Sequence, residues 1–328
     1  MKQRLFVIAG RIDHFFFESM TATGWGLMRL CWGFASFWFF LVQWRDVETY
    51  YTNLGLFPKA LQGHLAHGFI FSPLLAIDHL PNLIFALYLL MLVLLLCSAV
   101  GLFARWTTIA SFLLIIAFFH RNYIAFSGGG GMIRILGFLL AISPGIDGVS
   151  LDRMRRAKGK LLPPATMPIW PWRLLVWQTI LLYLSAVSYK LTTPAWREGY
   201  SLVYILHVAN YSRFSKDFAD SLTPLLPMGT WITLAFQMSW ELLFIPARWT
   251  ARTPIRRAWL MRYLILGSII FNGLVLILMR VADFAIVMLA LTPGLLRDGD
   301  IALVKAWWKK RRSSTARLPY GATSLPSP

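Results

Sequence analysis

Along the chain, long apolar runs alternate with short polar interruptions. Runs near 20 residues recur, each able to cross roughly 30 Å of hydrocarbon as a helix. Period-2 alternation is absent, and in lipid the backbone must satisfy its own hydrogen bonds, so the pattern predicts helices rather than a barrel. Eight spans are expected, at about 24–43, 81–103, 106–122, 131–146, 171–190, 229–247, 259–279 and 281–295. The fourth and eighth are short, as tilted, broken or shielded helices are. The expected fold is therefore an all-α polytopic transmembrane helical bundle of about eight spans. Residues 1–23 read as an interfacial segment, 24–295 as one membrane domain without an internal repeat, and 296–328 as a basic tail. The end of that tail, "SSTARLPYGATSLPSP", is rich in serine and proline and reads as disordered.

Composition supports a membrane setting. Of 328 residues, 57% are hydrophobic and only 14% are charged, far more apolar than a soluble domain. The net charge of +18 raises nucleic acid as a partner, but the placement of the charge answers otherwise. Lys2, Arg4 and Arg11 precede the first span, and Arg105 lies between the second and third. Arg153, Arg155, Arg156, Lys158 and Lys160 follow the fourth, and Arg248, Arg252, Arg256 and Arg257 the sixth. The tail adds Arg297, Lys305, Lys309, Lys310, Arg311 and Arg312. This bias to alternate loops places both termini in the cytoplasm and the chain in the inner, cytoplasmic membrane. The same residues suit anionic lipid headgroups, so no nucleic-acid partner is needed. "MKQRLFVIAG" leads into Arg11, Asp13 and Glu18 rather than an apolar core and a cleavage site, so no cleavable signal is expected. "RIDHFFFESM" reads instead as an interfacial amphipathic helix. Cys31 and Cys97 lie inside apolar runs and read as buried small hydrophobes.

With this topology the outer segments are 44–80, 121–131 and 191–228, and they concentrate the unusual residues. Chemistry is expected on the extracytoplasmic face. Lys190 ends the fifth span in "YLSAVSYKLTTPAWREGYSL". It reads either as a lysine snorkelling to the interface or as a partly desolvated amine serving as a base, with Tyr189, Trp196 and Tyr200 walling the pocket. "SGGGGMIR" lets backbone come close to a ligand or to a neighbouring helix, with Arg134 as a holder of an anion or a quinone oxygen; a flexible turn with an interfacial arginine is the plain alternative. No Gly-Lys-Ser/Thr follows, so it is not a phosphate-binding loop. His64, His67, His79 and His120 lack metal-ligand spacing with acids or cysteines, and no metal is predicted. Arg29, Gln178 and Glu241 share a depth on the order of 10 Å from the inner boundary, at about 1.5 Å per helical residue. Charges at that depth need partners, so Arg29 and Glu241 are expected to pair, with Gln178 joining them as a structural clasp.

These residues resemble the HTTM family, the membrane domain of vitamin K-dependent gamma-carboxylase and its shorter bacterial relatives. The resemblance runs in order over about 24–290: Arg29, "YYTNLG", the glycine loop with "RILGFLLAISPGIDGVSLDR", "YKL...W.EGYS" and "WELLF". It implies that Lys190 matches the lysine proposed in the carboxylase to deprotonate vitamin K hydroquinone on the lumenal side. A quinone or hydroquinone is thus the implied cofactor. Asn272, in "IIFNG", stands where the family's penultimate helix has a histidine, and the glycine-loop segment lacks the carboxylase's other histidine. The resemblance does not include the carboxylase's large lumenal domain, which supports recognition of protein substrates.

Two functions follow. The first is an integral membrane enzyme whose outward pocket acts on a quinol or other lipid-soluble substrate, in carboxylase or epoxidase-like chemistry with Lys190 as base and Arg134 orienting the oxyanion. The second is a non-catalytic accessory protein in maturation or export of a small secreted peptide, as proposed for the related sporulation-delaying protein B group. Expected partners are membrane lipids and such a peptide or a membrane protein. A transporter ranks third: transporters carry repeats and broken helices with intramembrane charges, whereas here only Arg29 and Glu241 are deep charges and both are assigned to structure.

Overall fold

The computed structural model describes residues 2–58, 72–122, 127–160, 162–243 and 254–315. Its helices are α1 (Lys2–Phe17), α2 (Thr23–Leu41), α3 (Val47–Tyr51), α4 (Pro81–Val100), α5 (Ala104–Arg121), α6 (Gly128–Ile142), α7 (Leu151–Ala157) and α8 (Trp170–Leu191). They continue as α9 (Pro194–Arg197), α10 (Ser201–His207), α11 (Lys216–Leu222), α12 (Leu226–Ser239), α13 (Pro254–Leu278), α14 (Ala282–Leu291) and α15 (Asp298–Thr315). The all-α expectation holds apart from a ribbon too short to leave a period-2 signature. In it β1 (Ser19–Thr21) pairs antiparallel with β2 (Thr166–Pro168), tying the N-terminal segment to the approach to α8.

Apolar helices occupy the positions of the expected spans, but they are unequal. The helices α4 and α8, with residues Ala258–Leu278 of α13, are long and apolar enough to cross a membrane. A fourth span arises if α2 and the bent continuation Trp44–Tyr51, turned by 52°, are counted together. The other expected spans fall short for visible reasons. Arg105, His120 and Arg121 dilute the ends of α5. The helix α6 has 15 residues, α14 has 10, and α12 gives way after Ser239 to a 3-10 turn, Trp240–Leu243. These shorter elements reach their length only through caps and turns, which hydropathy does not count.

The core threads between α2, α4, α5, α6 and α14 and is rich in large rings: Trp25, Trp32, Phe40, Tyr88 and Phe118 are fully buried. Lipid is as apolar as these side chains, so close packing and buried hydrogen bonds hold such helices together. Trp32 Nε1 donates to the Ile133 carbonyl at 2.9 Å, and the Tyr88 hydroxyl donates to the Phe40 carbonyl at 2.5 Å. At one end, Arg121 of α5 meets Asp78 at 3.2 Å and donates from Nη1 to the Phe57 carbonyl, strapping the segment before α4 onto the bundle.

Candidate functional site

The helix α8 brings Tyr183, Val187 and Lys190 onto one face, at the i, i+4, i+7 spacing that aligns side chains along a helix. This face meets α12 and α13. Lys190 Nζ donates to Gln237 Oε1 at 2.9 Å, and Gln237 is only 4% exposed. After Leu191 the chain turns through Thr193 and Pro194 into α9, which folds Trp196 back so that Nζ lies 5.1 Å from its ring centre. A cation at that distance is attracted by the negative face of the ring. Gly199 completes the turn at φ +86°, where a Cβ would stand 2.7 Å from Trp231 Nε1, so this backbone and this contact both require glycine. Among the described residues the amine therefore has a neutral carbonyl and an indole face as partners, not a carboxylate.

Below Lys190 the same seam stays polar. The Tyr183 hydroxyl lies 3.5 Å from Ser268 Oγ, and its ring stacks on Trp240 with centroids 5.6 Å apart. Asn272, fully buried on α13, donates from Nδ2 to the Ser268 carbonyl at 2.8 Å and is a third polar group at Tyr183. Its Oδ1 is buried and accepts no hydrogen bond among the described residues. An unfilled buried acceptor is costly, and the Tyr183 hydroxyl beside it is the donor at hand.

The expected site is thus assembled in part. Lys190 and Trp196 come together, and Asn272 lies on the same seam. Tyr189 is 79% exposed and Tyr200 51% exposed, so neither encloses the amine. Adjacent helical positions point about 100° apart, which directs Tyr189 away from the face that Lys190 uses. Gln237 was not anticipated. A lone glutamine in "LAFQMSWELLF" is a weak signal, although its spacing of four from Glu241 inside an apolar run was available.

Arg134 stands half-buried on α6 with its guanidinium 5.2 Å from the Phe119 ring centre of α5, directed to that ring rather than to Lys190. The glycines ahead of it start the helix instead of forming a loop. Ser127 Oγ accepts from Gly130 N at 3.0 Å, and a Cβ on Gly129 would stand 2.7 Å from the Asp283 main chain, so the run serves close packing of α6 on α14.

The clasp is corrected. Arg29 is fully buried, but it donates from Nε to the Ile146 carbonyl at 2.8 Å, from Nη1 to Ala99 O at 3.0 Å, and from Nη2 to Val149 O. Equal depth says nothing about which side of a helix a residue occupies, and here the end of α4 and the chain after α6 supply the acceptors. Glu241 Oε1 is buried without a hydrogen bond among the described residues, and Gln178 is half-buried and bonded to neither. His64 and His67 lie outside the described residues. Among the described residues no three His, Cys, Asp or Glu side chains form a group fit to hold a metal ion.

A family model described as HTTM domain matches residues 59–290, most of the chain. No curated protein and no solved structure matches it.

Proposed function

The chain belongs to the HTTM domain family, and from that premise we propose that this membrane protein is an enzyme whose outward-facing site, centred on Lys190, acts on a quinol or another lipid-soluble hydroxyl compound. The observation that carries the reading is the Lys190 amine itself, held by the neutral Gln237 carbonyl and covered by Trp196, with no carboxylate partner among the described residues. Lysine, unlike arginine, can stand neutral in a protein and accept a proton. In the proposed step the substrate O–H bond breaks, its proton passes to Nζ, and Gln237 Oε1 holds the ammonium through one of its N–H groups.

A hydroquinone is the substrate class these groups support. Trp196 offers a ring face and Lys190 the proton acceptor. When bound, such a group supplies an acidic hydroxyl and an oxidisable ring. Eight spans, both termini cytoplasmic and residence in the inner membrane belong to this proposal, supported by the loop charges. The test is oxidation of an added hydroquinone by dissolved dioxygen in the presence of purified protein in lipid nanodiscs. Wild type is expected to consume it and Lys190→Gln to lose at least about tenfold; equal rates would remove Lys190 from the chemistry.

A second reading has its own observation. The segment between α8 and α12 exposes Tyr204, Tyr211, Phe214 and Phe218, a surface suited to a peptide or membrane partner. An accessory protein for a small secreted peptide would co-purify with that peptide and lose it when Tyr204 and Phe218 are changed to serine, with Lys190→Gln having no effect.

A further inference from the structure

A cavity of about 650 Å³ opens at the other end of α8 from Lys190, between α1, α8, α13 and the start of α15. Arg173 at this cavity and Lys190 are separated by 17 helical residues, roughly 25 Å at 1.5 Å each. The volume falls within the roughly 300–1,000 Å³ range of ligand sites. Its walls divide by chemistry: Val176, Ile180 and Met261 are apolar, whereas Arg173, Arg262 and Arg297 bring guanidinium groups against one carboxylate, Asp300. Three positive charges less one negative charge leave an excess of two.

The arginines are positioned by different means. Arg173 lies over the Phe15 ring at 3.9 Å, Arg297 over Trp172 at 5.4 Å, and Arg262 Nε donates to Asp300 Oδ1 at 2.6 Å. Trp172 is itself fixed, its Nε1 donating to the Leu295 carbonyl at 2.9 Å. Arg297 makes no side-chain hydrogen bond among the described residues, so its planar fork is open to an oxyanion. A basic pocket between membrane helices with an apolar wall matches an anionic amphiphile, with its phosphate at the arginines and its acyl chain on Val176, Ile180 and Met261.

We propose that this cavity is a binding site for an anionic phospholipid of the leaflet at the basic end of the bundle. It is separate from the Lys190 site, and the proposal does not depend on that site's chemistry. The test is native mass spectrometry of protein released from nanodiscs containing phosphatidylglycerol and phosphatidylcholine in equal amounts. Wild type is expected to retain phosphatidylglycerol selectively. Retention should fall at least tenfold in Arg173→Gln/Arg297→Gln, return in part in Arg297→Lys, fall also in Val176→Trp, which fills the apolar wall at unchanged charge, and persist in Lys190→Gln. If the double variant does not fold, Arg297→Gln alone and Val176→Trp decide. Equal retention of both lipids, retention unchanged in these variants, or displacement by inorganic phosphate alone would each overturn the proposal, the last by identifying a soluble anion as the ligand.

Discussion

Arg29 and Lys190 are both cations drawn into the bundle, and they are treated differently. Arg29 gives Nε, Nη1 and Nη2 to three main-chain carbonyls from two separate turns, at residues 99, 146 and 149. Among the described residues Lys190 has one side-chain carbonyl and an aromatic face. A buried charge whose donors are matched to backbone acceptors locks chain segments together. One held by a single neutral acceptor keeps capacity for a ligand. On the proposed reading, the contrast separates a structural cation from a chemical one on polar satisfaction rather than on depth.

The contrast breaks most visibly at Arg29. Arg29→Ala removes three charge-assisted bonds, each worth roughly 1.5–3 kcal/mol, and should lower stability by about 4 kcal/mol or more in unfolding measured in detergent micelles. Arg29→Lys keeps the charge but loses the planar fork, and should recover less than half of that. A smaller effect is expected at the other cation's support: Gln237→Leu leaves the Lys190 amine without its acceptor, costing about 1–3 kcal/mol in the same assay. Lys190→Gln retains an N–H donor for Gln237, so its stability should stay within about 1 kcal/mol of wild type while ligand binding is lost. A cost for Lys190→Gln as large as that for Arg29→Ala would erase the distinction.

Much of the fold was legible because a membrane helix needs a long apolar run, and such runs are plain in the sequence. The lengths of α6, α12 and α14 were not, since caps, the 3-10 turn at Trp240 and the bend after Leu41 depend on local geometry. The Arg29–Glu241 expectation failed because depth along a helix was readable while rotation about it was not. At the candidate site, Lys190 and Trp196 could be read from one contiguous motif. Gln237 could not, because its role arises from packing α12 against α8 across nearly fifty residues of sequence.

The smallest predicted effect lies on the segment between α8 and α12, outside the spans. The hydrogen bond to Asp220, then that to the Val203 carbonyl, hold the His207 imidazole above its ordinary value. A raised folded-state pKa means that this contribution to stability is complete below about pH 6.5 and is lost as the pH rises through the raised value. An NMR titration of His207 should show the upward shift, and Asp220→Asn should remove most of it.

The central claim, that Lys190 is a ligand-binding amine and not a structural one, is tested most directly by native mass spectrometry with lipid extraction on wild type and Lys190→Gln, with thermal unfolding recorded on the same samples. The account predicts a quinone or related lipid bound to wild type and absent from Lys190→Gln at an unchanged unfolding temperature. Retention of the same ligand by a folded Lys190→Gln, or loss of the ligand only together with the fold, would contradict it.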